Sequence, residues 1–223
     1  MQKDSIHRLM WLCIFGITMG FFEAAVVVYL RKIFYPEGFR FPIAPWETMD
    51  QLIITVEVAR EFMSIVMLAA VSVLAGRRRL ERFFFFLCAF GVWDIFYYVF
   101  LYVILGWPAS LTTWDLLFFI PLPWVGPVWA PVVISLLFIA GTVIFLRQED
   151  MQRPMRFSSI DWLAFSMAAL IFIVSFVYDG PAVMRGAVPR PYLWWLFAFG
   201  TMLCVGAFLR AWRRTNEANP VDQ

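Results

Sequence analysis

The chain has 223 residues, of which 62% are hydrophobic and 15% charged, against roughly 45–50% and 25% in soluble domains, so it reads as an integral membrane protein. A net charge of +2 with no basic block gives no reason to expect a nucleic-acid partner. One histidine, His7, and three cysteines scattered over separate apolar segments (Cys13, Cys88 and Cys204) argue against haem, Fe–S clusters, His/Cys zinc and a Ser-His-Asp triad. The residues name no cofactor.

Six apolar segments are long enough to cross a core of about 30 Å at about 1.5 Å per residue. The first, about 9–30, follows a basic start at Lys3 and Arg8 and is interrupted by Glu23. It is longer than a signal-peptide core of roughly 7–15 residues and has no small-x-small cleavage pattern, which predicts a retained first helix. Gly16, Gly20 and Glu23 share one side of it, and small residues there let another backbone approach.

The second segment, 51–75, carries Glu57, Arg60 and Glu61 in an otherwise apolar run. Spacings of three and four put them on one helical side, continued by Ser64 and Ser72. A charge near the bilayer centre costs roughly 2.5–3.5 kcal/mol on insertion scales, so such residues face protein or water rather than lipid. The third segment, 83–106, places Gly91, Asp94 and Tyr98 on one side. It is rich in aromatic residues, whose default reading is lipid-facing and interfacial rings.

The loop from Pro108 to Pro127 contains no Lys or Arg. Thr112 and Asp115 have capping-box spacing, and an apolar run then meets Pro121 and Pro123. This predicts a short interfacial or re-entrant helix between helices three and four, with Trp114 and Asp115 as lid candidates. The remaining segments are 127–146, 160–178 and 191–210, followed by a short cytoplasmic tail over 211–223. Asp161, near the start of the fifth, reads as a first-turn charge that complements the helix dipole. The fold expected is all-α: one transmembrane domain over 1–223, a polytopic bundle of six helices without a soluble domain or internal repeat.

Lys and Arg divide unevenly over the connections. Twelve of the eighteen fall on the side of the termini and five on the other, with Arg60 inside a helix. The positive-inside rule then places both termini in the cytoplasm, and a bacterial inner (plasma) membrane is the setting expected. Measured from the cytoplasmic anchors, Glu61 stands about 22 Å up, Glu23 about 21 Å and Asp94 about 18 Å. The three acids fall in one layer outside the midplane, with Glu57 nearer the outer boundary.

Glu57 and Arg60 form a local pair, which leaves Glu23, Glu61 and Asp94 without a cation visible in the sequence. Buried carboxylates without counter-charges must be protonated, hydrogen-bonded, hydrated or matched by a cation. Glu23, Glu57, Arg60, Glu61, Asp94 and Tyr98 are therefore the candidates for substrate or ion binding or proton relay, in an acidic cavity open to the extracytoplasmic side. No metal is assigned, although an oxygen-only site at Glu23, Glu61 and Asp94 would suit Na⁺, Mg²⁺, Mn²⁺ or Ca²⁺. The expected function is proton- or cation-coupled transport of a small solute. The alternatives are a membrane-embedded enzyme acting on a lipid or isoprenoid, whose paired carboxylates would serve as general acid and base, and a non-catalytic membrane subunit or assembly factor. Beyond the lipid bilayer, the partners expected are a second copy of the chain or another membrane protein.

Overall fold

The computed structural model describes residues 3–120 and 122–217. It contains six helices long and apolar enough to cross a membrane. In chain order these are α1 (Lys3–Phe34), α2 (Gln51–Ala75), α3 (Arg79–Leu105), α4 (Trp129–Asp150), α5 (Ser159–Val177) and, after a short turn of helix α6 (Gly180–Val183), α7 (Trp194–Glu217). The protein is a polytopic membrane protein built as a helical bundle. The helix α7 continues to Glu217, so much of the segment expected as a tail is helical, and 218–223 lie outside the described residues.

Local chemistry sets the helix ends. Asp50 caps α2 by accepting the Leu52 amide at 2.8 Å. Ser158 and Asp161 cap α5 reciprocally, each side chain meeting the other's backbone N–H. Gly106 ends α3 in the left-handed region at φ 65°, a conformation that glycine adopts without a Cβ clash.

The most buried helix is α3, with α1, α2 and α4 packed around it. A Cβ on Gly20 would come within 2.9–3.0 Å of Trp93 and Tyr97 backbone atoms, and one on Gly91 within 2.7 Å of the Ser135 carbonyl oxygen. These small residues allow α1 and α4 to lie directly against α3. Because α3 is central, Phe84, Phe85, Trp93 and Tyr98 are buried. The expectation of lipid-facing rings fails for these four, while Phe83 and Tyr102 are exposed. The buried face of α2 is its polar one, Glu57, Glu61, Ser64 and Ser72, with Leu68 among them.

A second pair, α5 and α7, lies beside this group. At the end of the bundle that carries both described termini, the two sets are joined by stacked rings. Phe84 stacks on Phe145 at 4.3 Å and meets Phe157 and Phe208 edge-on or tilted. The same end holds most of the arginines. There Arg8 donates to the Ala75 carbonyl at 2.9 Å and pairs with Glu81 at 2.7 Å.

At the opposite end, the 108–127 segment folds as an antiparallel hairpin, β1 (Trp114–Phe118) and β2 (Trp124–Pro127), in place of the short interfacial or re-entrant helix expected there. Asp115 faces Gly126 across the ladder, Leu116 faces Val125, and a bulge follows at Leu117. The reason is length and composition. Five residues between proline-bearing turns are too few to nucleate a stable helix, whereas Trp, Leu and Phe suit a pleated surface. Pairing two strands also satisfies backbone N–H groups of both. Pro121, read as a break in this loop, lies outside the described residues. With Thr113 accepting from Val128 N at 3.0 Å, the Thr112–Asp115 spacing serves a turn and a strand start rather than a helix cap.

Candidate functional site

The hairpin closes one side of a cavity of about 370 Å³. Its polar wall comes from α1 (Glu23, Arg31), α2 (Glu57, Arg60, Glu61), α3 (Asp94, Tyr97, Tyr98) and β1 (Asp115). Its apolar arm runs between α4 and α5 and is lined by Pro131, Ile134, Phe138, Ala169, Phe172 and Ile173, among others. Loop residues Tyr35, Phe39, Met49 and Met184 bound it at the hairpin end. The six residues singled out from the sequence all line this space.

Their charges resolve into three groups. In the first, Arg60 bridges two helices. It donates to Glu57 through Nε at 3.0 Å and Nη2 at 2.5 Å, and through Nη1 to Glu23. The expectation that Glu23 lacks a cation is thus overturned: an arginine three residues from Glu57 is long enough to reach the neighbouring helix as well.

The second group was hidden in the sequence. Arg31, near the end of α1, donates to Asp115 Oδ1 at 2.9 Å. The guanidinium lies over the Trp107 ring at 3.6 Å and the Phe39 ring at 4.4 Å, a cation–π sandwich. Tyr98 and Tyr97 donate to the other carboxylate oxygen at 3.3 and 3.5 Å. Burial pushes the Asp115 carboxyl above the usual carboxylate range, against the pull of Arg31 and the two phenols. Asp115 is 1% exposed, so it belongs to the wall beneath the hairpin rather than to a lid over it. Successive strand residues point to opposite faces, and Trp114 accordingly turns away to meet Tyr192 edge-on at 6.1 Å.

The third group is a pair of carboxylates that no guanidinium holds. Glu61 accepts the backbone N–H of Phe119 at 2.8 Å, just past the end of β1. Asp94 accepts the Ser135 hydroxyl at 2.8 Å. Among the described residues neither has an ion-pair partner. Tyr97 stands between the clusters, within electrostatic reach of Asp115 and Arg31 on one side and of Glu23 and Arg60 on the other. No three of the His, Cys, Asp and Glu side chains described are grouped to hold a metal ion. The oxygen-only site considered for Glu23, Glu61 and Asp94 is therefore not assembled. The sole histidine, His7, is exposed at the other end, bonded to Trp11.

Sequence reasoning missed Arg31, Tyr97, Ser135 and the Phe119 amide as partners. One signal for the first was present: Asp115 is the single acid in a loop without Lys or Arg, so a buried Asp115 had to take its cation from another segment. The Phe119 contact has no sequence signal, since any non-proline residue supplies an N–H.

No protein-family model, curated protein or solved structure matches this chain. Chemically, the site offers two ion clusters, two carboxylates bonded only to neutral donors, and a largely apolar chamber beside them.

Proposed function

We propose that the protein is a membrane transporter in which Glu61 and Asp94 couple movement of a small solute to protons or another cation. One observation carries this reading. Of the five carboxylates that line the cavity, Glu23 and Glu57 are held by Arg60 and Asp115 by Arg31, whereas Glu61 and Asp94 accept only neutral donors. A carboxylate bonded to a guanidinium is held in place by it. One without such a partner gains or loses a proton or cation with its surroundings, which is the property a coupling site needs. Glu23, one of the six binding or relay candidates read from the sequence, is tied to Arg60 and takes no coupling role in this reading.

The arginine-rich end faces the cytoplasm by the positive-inside rule, which puts the hairpin and the cavity toward the opposite side of a bacterial plasma membrane. Six helices without a repeat are few for a solitary transporter, and a homo-oligomer is part of the proposal. The test is solute- or ion-driven proton movement in proteoliposomes. Glu61→Gln and Asp94→Asn abolish it if the reading holds, and unaltered flux in both refutes it.

A second reading, an enzyme acting on a lipid or isoprenoid, draws on the apolar arm between α4 and α5. It requires turnover of a lipid extract in detergent without any gradient. Mass spectra unchanged by incubation would remove it.

A further inference from the structure

We infer that the cavity takes an amphipathic organic cation, an amine or quaternary onium group carried on an aromatic or alkyl body. The inference rests on the transport reading and names its solute.

The sign of the charge comes from the wall. Five carboxylates face the cavity against two guanidiniums, Arg31 and Arg60; Arg60 is paired with both Glu57 and Glu23, and Arg31 with Asp115 through Nη2, its buried Nη1 having no hydrogen-bond partner. Because Arg60 is shared by Glu23 and Glu57, the net unmet charge of the wall is negative, and Glu61 and Asp94 are the two acids that no guanidinium contacts. A like-charged ligand would add an unpaired buried anion to it, whereas a cation removes the deficit.

The apolar body comes from a row of rings that crosses from α3 over the hairpin to α5. Trp93 meets Phe118 at 5.8 Å, Phe118 meets Trp124 at 6.1 Å, and Trp124 stacks on Phe176 at 5.6 Å. All four line the cavity. Ring faces attract an onium group within about 6 Å of the centroid, a contact that Arg31 already makes with Trp107 and Phe39.

A bare metal ion fits less well. Such an ion needs about six oxygen ligands to replace its hydration shell, and the described acids form no group of three around one point. An organic cation needs no such shell. About 370 Å³ also lies within the roughly 300–1,000 Å³ typical of small-molecule pockets.

A further detail narrows the ligand. The indole N–H groups of Trp93 and Trp124 are buried and have no hydrogen-bond partner, although buried indoles usually find one. An ether, hydroxyl or carbonyl oxygen on the ligand's body would meet either of them.

The test uses two probes of nearly identical size and opposite charge, tetraphenylphosphonium and tetraphenylborate. Each is titrated by calorimetry into the full-length protein in a neutral detergent. The inference expects the phosphonium to bind at least 100-fold more tightly than the borate, and Glu61→Gln and Asp94→Asn each to weaken it tenfold or more. Because the probe pair is compared on the unmodified protein, the result stands even if a variant fails to fold. Equal binding of the two probes, or tighter binding of the borate, overturns the inference and leaves the transport reading to its own flux assay. Tight phosphonium binding beside a proton flux indifferent to Glu61 and Asp94 upholds the ligand class and overturns the transport reading.

Discussion

Asp161 and Asp94 are both acids within apolar helices, the first in the opening turn of α5 and the second mid-way along α3, and their surroundings differ completely. Asp161 is 0% exposed and accepts donors on both oxygens. These are the Ser158 amide and hydroxyl at 2.7 Å each, Arg210 at 2.8 and 2.6 Å, and Arg214. Asp94 has the Ser135 hydroxyl alone. Burial alone therefore does not separate the acids proposed to act from those that hold the fold together. Asp161 fixes the start of α5 to the end of α7, and its lone pairs are used up doing so. Asp94 and Glu61 retain lone pairs without a cation, beside an open chamber. Asp115 is the intermediate case: fully buried like Asp161, but in the cavity wall like Asp94.

The largest expected effect breaks that intermediate case. Arg31→Met leaves Asp115 as an uncompensated buried charge and should cost about 3–5 kcal/mol of stability. Adding Asp115→Asn should restore much of the loss, which a double-mutant cycle on thermal unfolding in detergent would measure. If the double variant is as unstable as Arg31→Met alone, the coupling is absent. The same pair carries a pH signature. A carboxyl raised above its ordinary value contributes stability that is fully present below that ordinary value and is lost as pH rises through the raised one. The difference in melting temperature between the native protein and Asp115→Asn should therefore favour the native protein more strongly as pH falls across that window.

Next in size is Asp161→Ala. It removes a capping-box acceptor, worth about 1 kcal/mol. It also removes two ion pairs whose arginine side chains are 44% exposed, and solvent screening limits each of those to under about 1 kcal/mol. A total near 2 kcal/mol is expected, with proton-coupled flux per folded molecule unchanged. Lost flux in a folded Asp161→Ala protein would erase the distinction between the two acids.

The smallest effect on stability belongs to the residues with the largest proposed role. Glu61→Gln and Asp94→Asn remove charges that no cation holds and keep the side-chain volume, so unfolding should shift by under about 1 kcal/mol in either direction. Flux should nevertheless vanish. A strong loss of stability in either variant would instead assign these acids to the framework, alongside Asp161.

The sequence was informative wherever the physics is local. Hydropathy over about 20 residues and the rise of a helix are enough to place six spans, and α2 starts and ends where the sequence put it, at Gln51 and Ala75. Helical spacing also shows that Glu57, Glu61 and Ser64 share a face, and that face is the buried one. The α3 rings were harder, because aromatic content does not distinguish a central helix from one at the lipid boundary. The hairpin was hidden for a related reason: a short apolar run between prolines has no period long enough to separate strand from helix.

What the sequence determined by itself is the bundle, its count of helices and the set of embedded acids, since each follows from the cost of placing a residue in hydrocarbon. What only the tertiary structure decided is which of those acids are already paid for. Arg60 reaches from α2 to Glu23 on α1, and Arg31 reaches from α1 to Asp115 on β1. Those pairings depend on which segments are neighbours and how far a guanidinium extends, and neither is written in the spacing along one helix. They leave Glu61 and Asp94 as the two acids that no guanidinium contacts, the point on which the proposed function and its ligand both turn.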